Sequence, residues 1–304
     1  MKRPPVVDML RRTWRSYRTH DGRLLSGAVA FHALLATAPL GVLAIVAAGL
    51  LVGPRAARGE LFDQLSERLG SEGAAYVVRW VEEAARPQSS ILATVVSSTL
   101  LLLAGYRLFD MLRSALNHVW GVRSHVAIGF RAPGRRELAR RALGFSMIFV
   151  LGAAVWVDVI LTVALGAMAR WVDGFPTLFR WVDHAGSLAV LTAVVTIVFR
   201  FLPDVRVSWR DALVGATATS VLVTVGSVAV SYYFERWSPA SSYGAAGSVV
   251  ALLLFIYYTA QTFFLGAEFT RVWADQHGHG MTPLPHAVPT RDADRQTIDF
   301  IELS

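Results

Sequence analysis

The sequence predicts an all-α, polytopic integral membrane protein: a helical bundle of six transmembrane helices with both termini in the cytosol. Three observations carry this. Across 304 residues the chain is 54% hydrophobic and only 17% charged, with mean hydropathy +0.45, too apolar for an ordinary soluble domain of that length. Residues 248–267 form a run of twenty without a formal charge, enough at 1.5 Å per residue to cross a hydrocarbon core about 30 Å thick. Under a six-span arrangement, 21 of the 29 lysines and arginines fall on one side, which the positive-inside rule assigns to the cytosol. That asymmetry accounts for the pI near 10.2 without nucleic acid, which is not an expected partner. With no cysteine, disulfides, thiolate metal sites and cysteine nucleophiles are excluded.

Taken in order, residues 1–23 form a basic cytosolic juxtamembrane segment. Lys2, Arg3, Arg11, Arg12, Arg15, Arg18 and Arg23 outweigh Asp8 and Asp21, with Trp14 and Tyr17 between them, as suits a segment lying on anionic headgroups. The membrane domain spans 24–273. Its first span, 24–52, contains Pro39, which predicts a kink. Residues 55–87 read as two short amphipathic helices broken at Gly70, on the extracytoplasmic side. The second span starts near Ser89 or Ser90, and its pattern continues through Leu108, Leu112, Leu116 and Val119, so that the helix projects into the cytosol as far as Trp120 before Gly121 ends it. Arg107, Asp110 and Arg113 lie within one or two turns, where they can pair. The cytosolic extension, 106–141, ends in an arginine-rich loop.

A third span covers 142–168, a loop holds Arg170, Asp173, Arg180 and Asp183, and a fourth span runs from Gly186 to Leu202, stopped by Pro203. Ser208 and Asp211 are spaced as a capping box opening a fifth span, 211–233. Along it Ala212, Ala216, Ser220 and Thr224 make a small-residue stripe of the kind that lets helices approach closely. The sixth span is the uncharged run. Residues 274–304, rich in proline and polar residues, read as a flexible cytosolic tail. Tryptophans 120, 171, 181, 209, 237 and 273 suit an interfacial aromatic belt.

Several segments, taken together, resemble the YihY/BrkB family of six-helix bacterial inner-membrane proteins. They are LLSGAVAFHALLATAPL in span one, ALNHVWGV after span two, FRFLPDVRVSWRDALVGA between spans four and five, and SSYGAAGSVVALLLFIYYTAQTFFLGAEFTR at the end. Their order and spacing cover most of 24–273. His32 departs from the aromatic usual there, and Asp204 stands where the family often has asparagine. The resemblance implies the six-helix fold and a place in the bacterial cytoplasmic membrane; the family has no settled activity. A ribonuclease label attached to some members finds no support in the residues. Metal-dependent hydrolysis needs converging histidines and carboxylates, whereas His20, His32, His118, His125 and His184 are scattered and His277, His279 and His286 lie in the tail. No metal site, cofactor or catalytic residue is expected.

Ionisable and polar side chains at membrane depth are the remaining candidates. Asp158 and Thr162 share one face of span three with Ala154 and Gly166; Asp158 reads as a substrate- or proton-binding carboxylate, as a buried carboxylate hydrogen-bonded to a neighbouring helix, or as one near an interface. In span six Tyr257, Gln261, Phe264 and Glu268 share a face; Glu268, near the cytosolic end, reads first as a structural lock to Arg271 or to an arginine of the 200–210 turn, and the deeper Tyr257 and Gln261 suggest a cavity or interhelical hydrogen bonds. His32 is either a satisfied core histidine or a proton relay. Arg200, Asp204, Arg206, Arg210 and Arg271 are expected to anchor headgroups or gate a cytosolic entrance. The leading expectation is transport of a small molecule or a lipid or envelope precursor along spans one, three and six. The alternative is a non-transporting scaffold for envelope machinery. Membrane lipids with anionic headgroups and an unidentified small-molecule or lipid substrate are the expected partners, with a homo-oligomer left open.

Overall fold

The computed structural model describes residues 6–85, 91–124, 157, 176–236, 247–277, 281–285 and 287–290. Seven helices are seen among them: α1 (Val6–Thr19), α2 (Gly22–Val52), α3 (Pro54–Ala85), α4 (Ile91–Val119), α5 (Pro176–Phe201), α6 (Trp209–Arg236) and α7 (Gly247–Gln276). Four short strands accompany them: β1 (Val122–Ser124), β2 (Val205–Arg206), β3 (Thr282–Pro283) and β4 (Ala287–Pro289). By length and composition three stretches among the described residues suffice to cross a membrane, His184–Phe201, Trp209–Val230 and Val249–Gln276, and Gly22–Ala38 adds a shorter apolar one. Of the expected third span only Val157 is described, in helix and exposed; Asp158 and Thr162 lie outside the described residues.

The bundle packs α2 against α3, α4 and α7, and α6 against α5 and α7, while α1 lies on α7. Its main core brings together Phe109 and Leu116 of α4, Phe199 of α5, Ala212 and Ala216 of α6, and Phe264 and Ala267 of α7. Aromatic edges interlock there: Trp120 meets Phe199 with centroids 5.8 Å apart at 79°, a favoured edge-to-face geometry. Trp120 is therefore a core residue and not part of an interfacial belt. A second cluster packs Val77 and Val81 of α3 against Ala251 and Leu252 of α7.

Close approach of α6 and α7 rests on a reciprocal fit. A Cβ on Gly215 would fall 1.8 Å from the Thr270 hydroxyl oxygen, and one on Gly266 would fall 1.8 Å from that of Thr219. Each threonine thus occupies the space a glycine leaves on the facing helix, the small-xxx-small principle in its tightest form. Of the predicted stripe, Ala212, Ala216 and Ser220 are buried, whereas Thr224 faces outward.

Three expectations about elements need correction, and one is met. Residues 55–87 do not break at Gly70, because α3 continues through it as one helix. An interior glycine costs only about 1 kcal/mol relative to alanine, less than the packing of a stripe that holds Ala74, Val77 and Val81 buried. Helix α5 starts ten residues before Gly186, with Pro176 in its first turn, where a missing N–H costs nothing; Arg180 and Asp183 are helical, not in a loop. The expected cap of α6 is present: the Ser208 hydroxyl accepts from the Asp211 amide at 3.4 Å. Finally, the tail is not wholly a free appendage. β4 pairs antiparallel with β1 and β3 with β2, and the Leu284 amide donates to the Asp204 carbonyl at 3.0 Å. Backbone groups left open beyond α4 and α5 supply those partners, which a composition rule does not register. Gly121, with φ +67°, makes the turn from α4 into β1.

Candidate functional site

The polar groups of α7 lie on one side of that helix. Tyr257, Gln261 and Glu268 recur at intervals of four and seven and face α1 and α2, whereas Gly266 and Thr270 occupy the opposite side, against α6. Tight packing and polar display are thus assigned to different faces. Near Tyr257 the backbone of α2 comes close at Gly27, where a Cβ would meet the Tyr257 ring at 3.9 Å. One turn on, the Tyr17 hydroxyl of α1 donates to Gln261 Oε1 at 3.4 Å. Burial pushes the Tyr17 phenol above its ordinary value of 10.0, so it remains a donor at neutral pH.

Glu268 is 0% exposed. Its carboxylate accepts from the Ser16 hydroxyl at 2.7 Å and lies 2.6 Å from His20 Nδ1. Arg271 approaches His20 Nε2 at 3.2 Å and donates to the Val119 carbonyl at 2.7 Å. The same guanidinium nitrogen lies 3.5 Å from His20 Nδ1, so Arg271 covers the imidazole while the Nδ1 edge of the ring meets Glu268. His118 of α4 meets the same ring edge-on, centroids 5.9 Å apart. The expected lock between Glu268 and Arg271 is therefore indirect, through His20, because the turn after α1 brings the imidazole against both.

A second network lies beside it. Asp204 is fully buried; Arg113 donates to it at 2.5 Å and Asn117 at 2.7 Å, while its own amide donates to Asn117 Oδ1 at 2.8 Å. Asp204 accordingly ties α4 to the turn between α5 and α6 and is withdrawn from any headgroup. Arg113 reaches across to Asp204 instead of pairing along its own helix with Asp110, which is exposed. The expected arginine group divides: Arg200 turns inward to the Val207 carbonyl and over the Trp209 ring at 5.6 Å, whereas Arg206 and Arg210 are exposed. His32 stands apart, half-buried, its Nδ1 against the Ala28 carbonyl at 2.9 Å within α2.

Sequence reasoning missed Ser16 and Asn117 and set His20 and His118 down as scattered. A signal for two of them existed, since Asn117 and His118 fall within the ALNHVWGV segment. Among the described residues no group of three or more histidines and carboxylates is placed to hold a metal ion.

A family model described as "Virulence factor BrkB" matches residues 13–291, a stretch that includes α2 to α7 and both buried networks. The chain belongs to the BrkB family. Relatives of this BrkB-family chain include a UPF0761 membrane protein of Rhodospirillum centenum, 27% identical over 277 residues, covering 88% of this chain and 57% of the relative. Another, from Cronobacter sakazakii, is 24% identical over 200 residues, 66% of this chain and 65% of the relative. The chain thus spans less than two thirds of the length of these relatives, whose names state a membrane protein and no activity. No solved structure matches.

Proposed function

We propose that this BrkB-family protein is a transporter-like bundle of the bacterial cytoplasmic membrane, with six spans and both termini in the cytosol, which moves a small molecule or a lipid or envelope precursor. The observation that carries the reading is the one-sided polar face of α7. In a helix apolar enough to span a membrane, Tyr257, Gln261 and Glu268 are gathered away from the α6 packing face, and polar groups at membrane depth ordinarily face a bundle interior or a wet cavity. Asp158 and Thr162 are proposed to line the same path. No chemical step is involved, and the protein is read as a non-enzyme without cofactor.

A specific observation favours a second reading, a non-transporting scaffold: Glu268 and Asp204 are both fully buried and hydrogen-bonded to neighbouring side chains, which is how packing devices look. Replacement of Asp158 and Gln261 by alanine discriminates. Loss of an envelope or efflux phenotype in a strain that still makes stable protein supports transport. An unchanged phenotype at wild-type abundance, with a stoichiometric partner recovered by crosslinking, supports the scaffold.

A further inference from the structure

Helix α1 has three sides, of which the described part of the bundle packs against one. Met9, Thr13 and Tyr17 are buried, with Ser16 and His20 beside them, against α7. Arg11, Arg12, Arg15 and Arg18 are exposed on a second side. On the third, Val7, Leu10 and Trp14 recur at intervals of three and four, 75%, 56% and 49% exposed, with Val6 at 66%. An apolar stripe of this size beside a row of arginines matches the boundary between anionic headgroups and acyl chains, where each side finds its own solvent. Charge complementarity selects an anionic leaflet, because Asp8, the acidic residue of α1, is already engaged by Arg12 at 3.0 Å. Position agrees with chemistry: a short turn joins α1 to α2, whose outward Leu24, Phe31 and Leu35 continue the exposed apolar surface.

One contact links the outward side to the inward one. The Trp14 ring stacks on Tyr17 with centroids 5.8 Å apart and planes at 23°, and Tyr17 is the donor to Gln261.

We propose that α1 is a lipid-coupled helix: Val6, Val7, Leu10 and Trp14 insert at the headgroup boundary of an anionic leaflet, and the Trp14–Tyr17 stack makes that insertion hold α1 over Gln261 and Glu268. Anionic lipid then sets how firmly these polar groups of α7 are sealed, whether the bundle moves a cargo or only scaffolds.

The absence of cysteine permits a direct test on the full chain. Nitroxide labels at Leu10→Cys and Arg15→Cys, in nanodiscs of mixed phosphatidylglycerol and phosphatidylcholine, report accessibility to oxygen and to a water-soluble nickel complex. The expected oxygen-to-nickel ratio at position 10 exceeds that at 15 severalfold and falls when phosphatidylglycerol is omitted. Hydrogen exchange of the α1 amides in the unlabelled protein should slow in phosphatidylglycerol, and Trp14→Ala should abolish the difference. Equal ratios at the two positions, or a label at 10 shielded from both reagents, would overturn the insertion. Exchange indifferent to lipid charge would overturn the coupling.

Discussion

Glu268 sits without solvent contact near the end of a helix long and apolar enough to cross a membrane, where an isolated carboxylate would be driven to neutralise. Its two oxygens are met instead by the Ser16 hydroxyl and by His20 Nδ1, with Arg271 against the imidazole. Such a chain is worth more intact than its members are singly. His20→Ala should therefore lower stability by about 1–3 kcal/mol, the cost of leaving a buried acceptor short of a partner. Glu268→Gln in the same background should recover part of the loss, so a double-mutant cycle read by thermal unfolding in detergent should show coupling; strict additivity would contradict the network. At this scale the sequence was half legible. Glu268 and Gln261 could be set on one face from their spacing along a single helix. Their partners could not, since Ser16 lies 252 residues away and His20 248, and nothing in local periodicity reports which face of a basic segment will dock. Asp204 was misassigned for a related reason: in a turn between arginines it reads as solvent-facing, and only the arrival of α4 with Asn117 and Arg113 turns it inward.

Helices were the most legible elements, because uncharged runs and caps are local signals. Errors came where a local breaker was weighed without its packing, as at Gly70, or where pairing depended on distant backbone, as in the tail strands. Glycine also shows how opposite outcomes follow from one substitution. Gly59 in α3 has open space around its Cβ position, so Gly59→Ala should stabilise by about 0.5–1 kcal/mol through helix propensity. Gly215→Ala places a methyl group 1.8 Å from Thr270 Oγ1 and should destabilise by about 1–3 kcal/mol, the usual cost of overpacking. Thermal unfolding of the two variants side by side gives the comparison. Gly215→Ala melting at or above wild type would show that α6 and α7 do not interlock as described.

For the whole molecule, the family and the membrane class were readable from the chain: composition gave the class, and the order of four segments gave the BrkB resemblance that the match over residues 13–291 establishes. What a membrane bundle does depends on whether its polar face meets water, and no periodicity encodes that. On the transport reading, the Tyr257–Gln261 side of α7 lines a wet path, whereas Leu253, 36% exposed, belongs to the outer surface. The cysteine-free background offers the decisive measurement. Single cysteines at Asp158, Gln261 and Leu253 are challenged with a membrane-impermeant maleimide from each side of the membrane. Labelling at 158 and 261 but not at 253 is the predicted result; a folded protein in which none of the three labels would contradict the transport reading and leave the polar groups as packing devices.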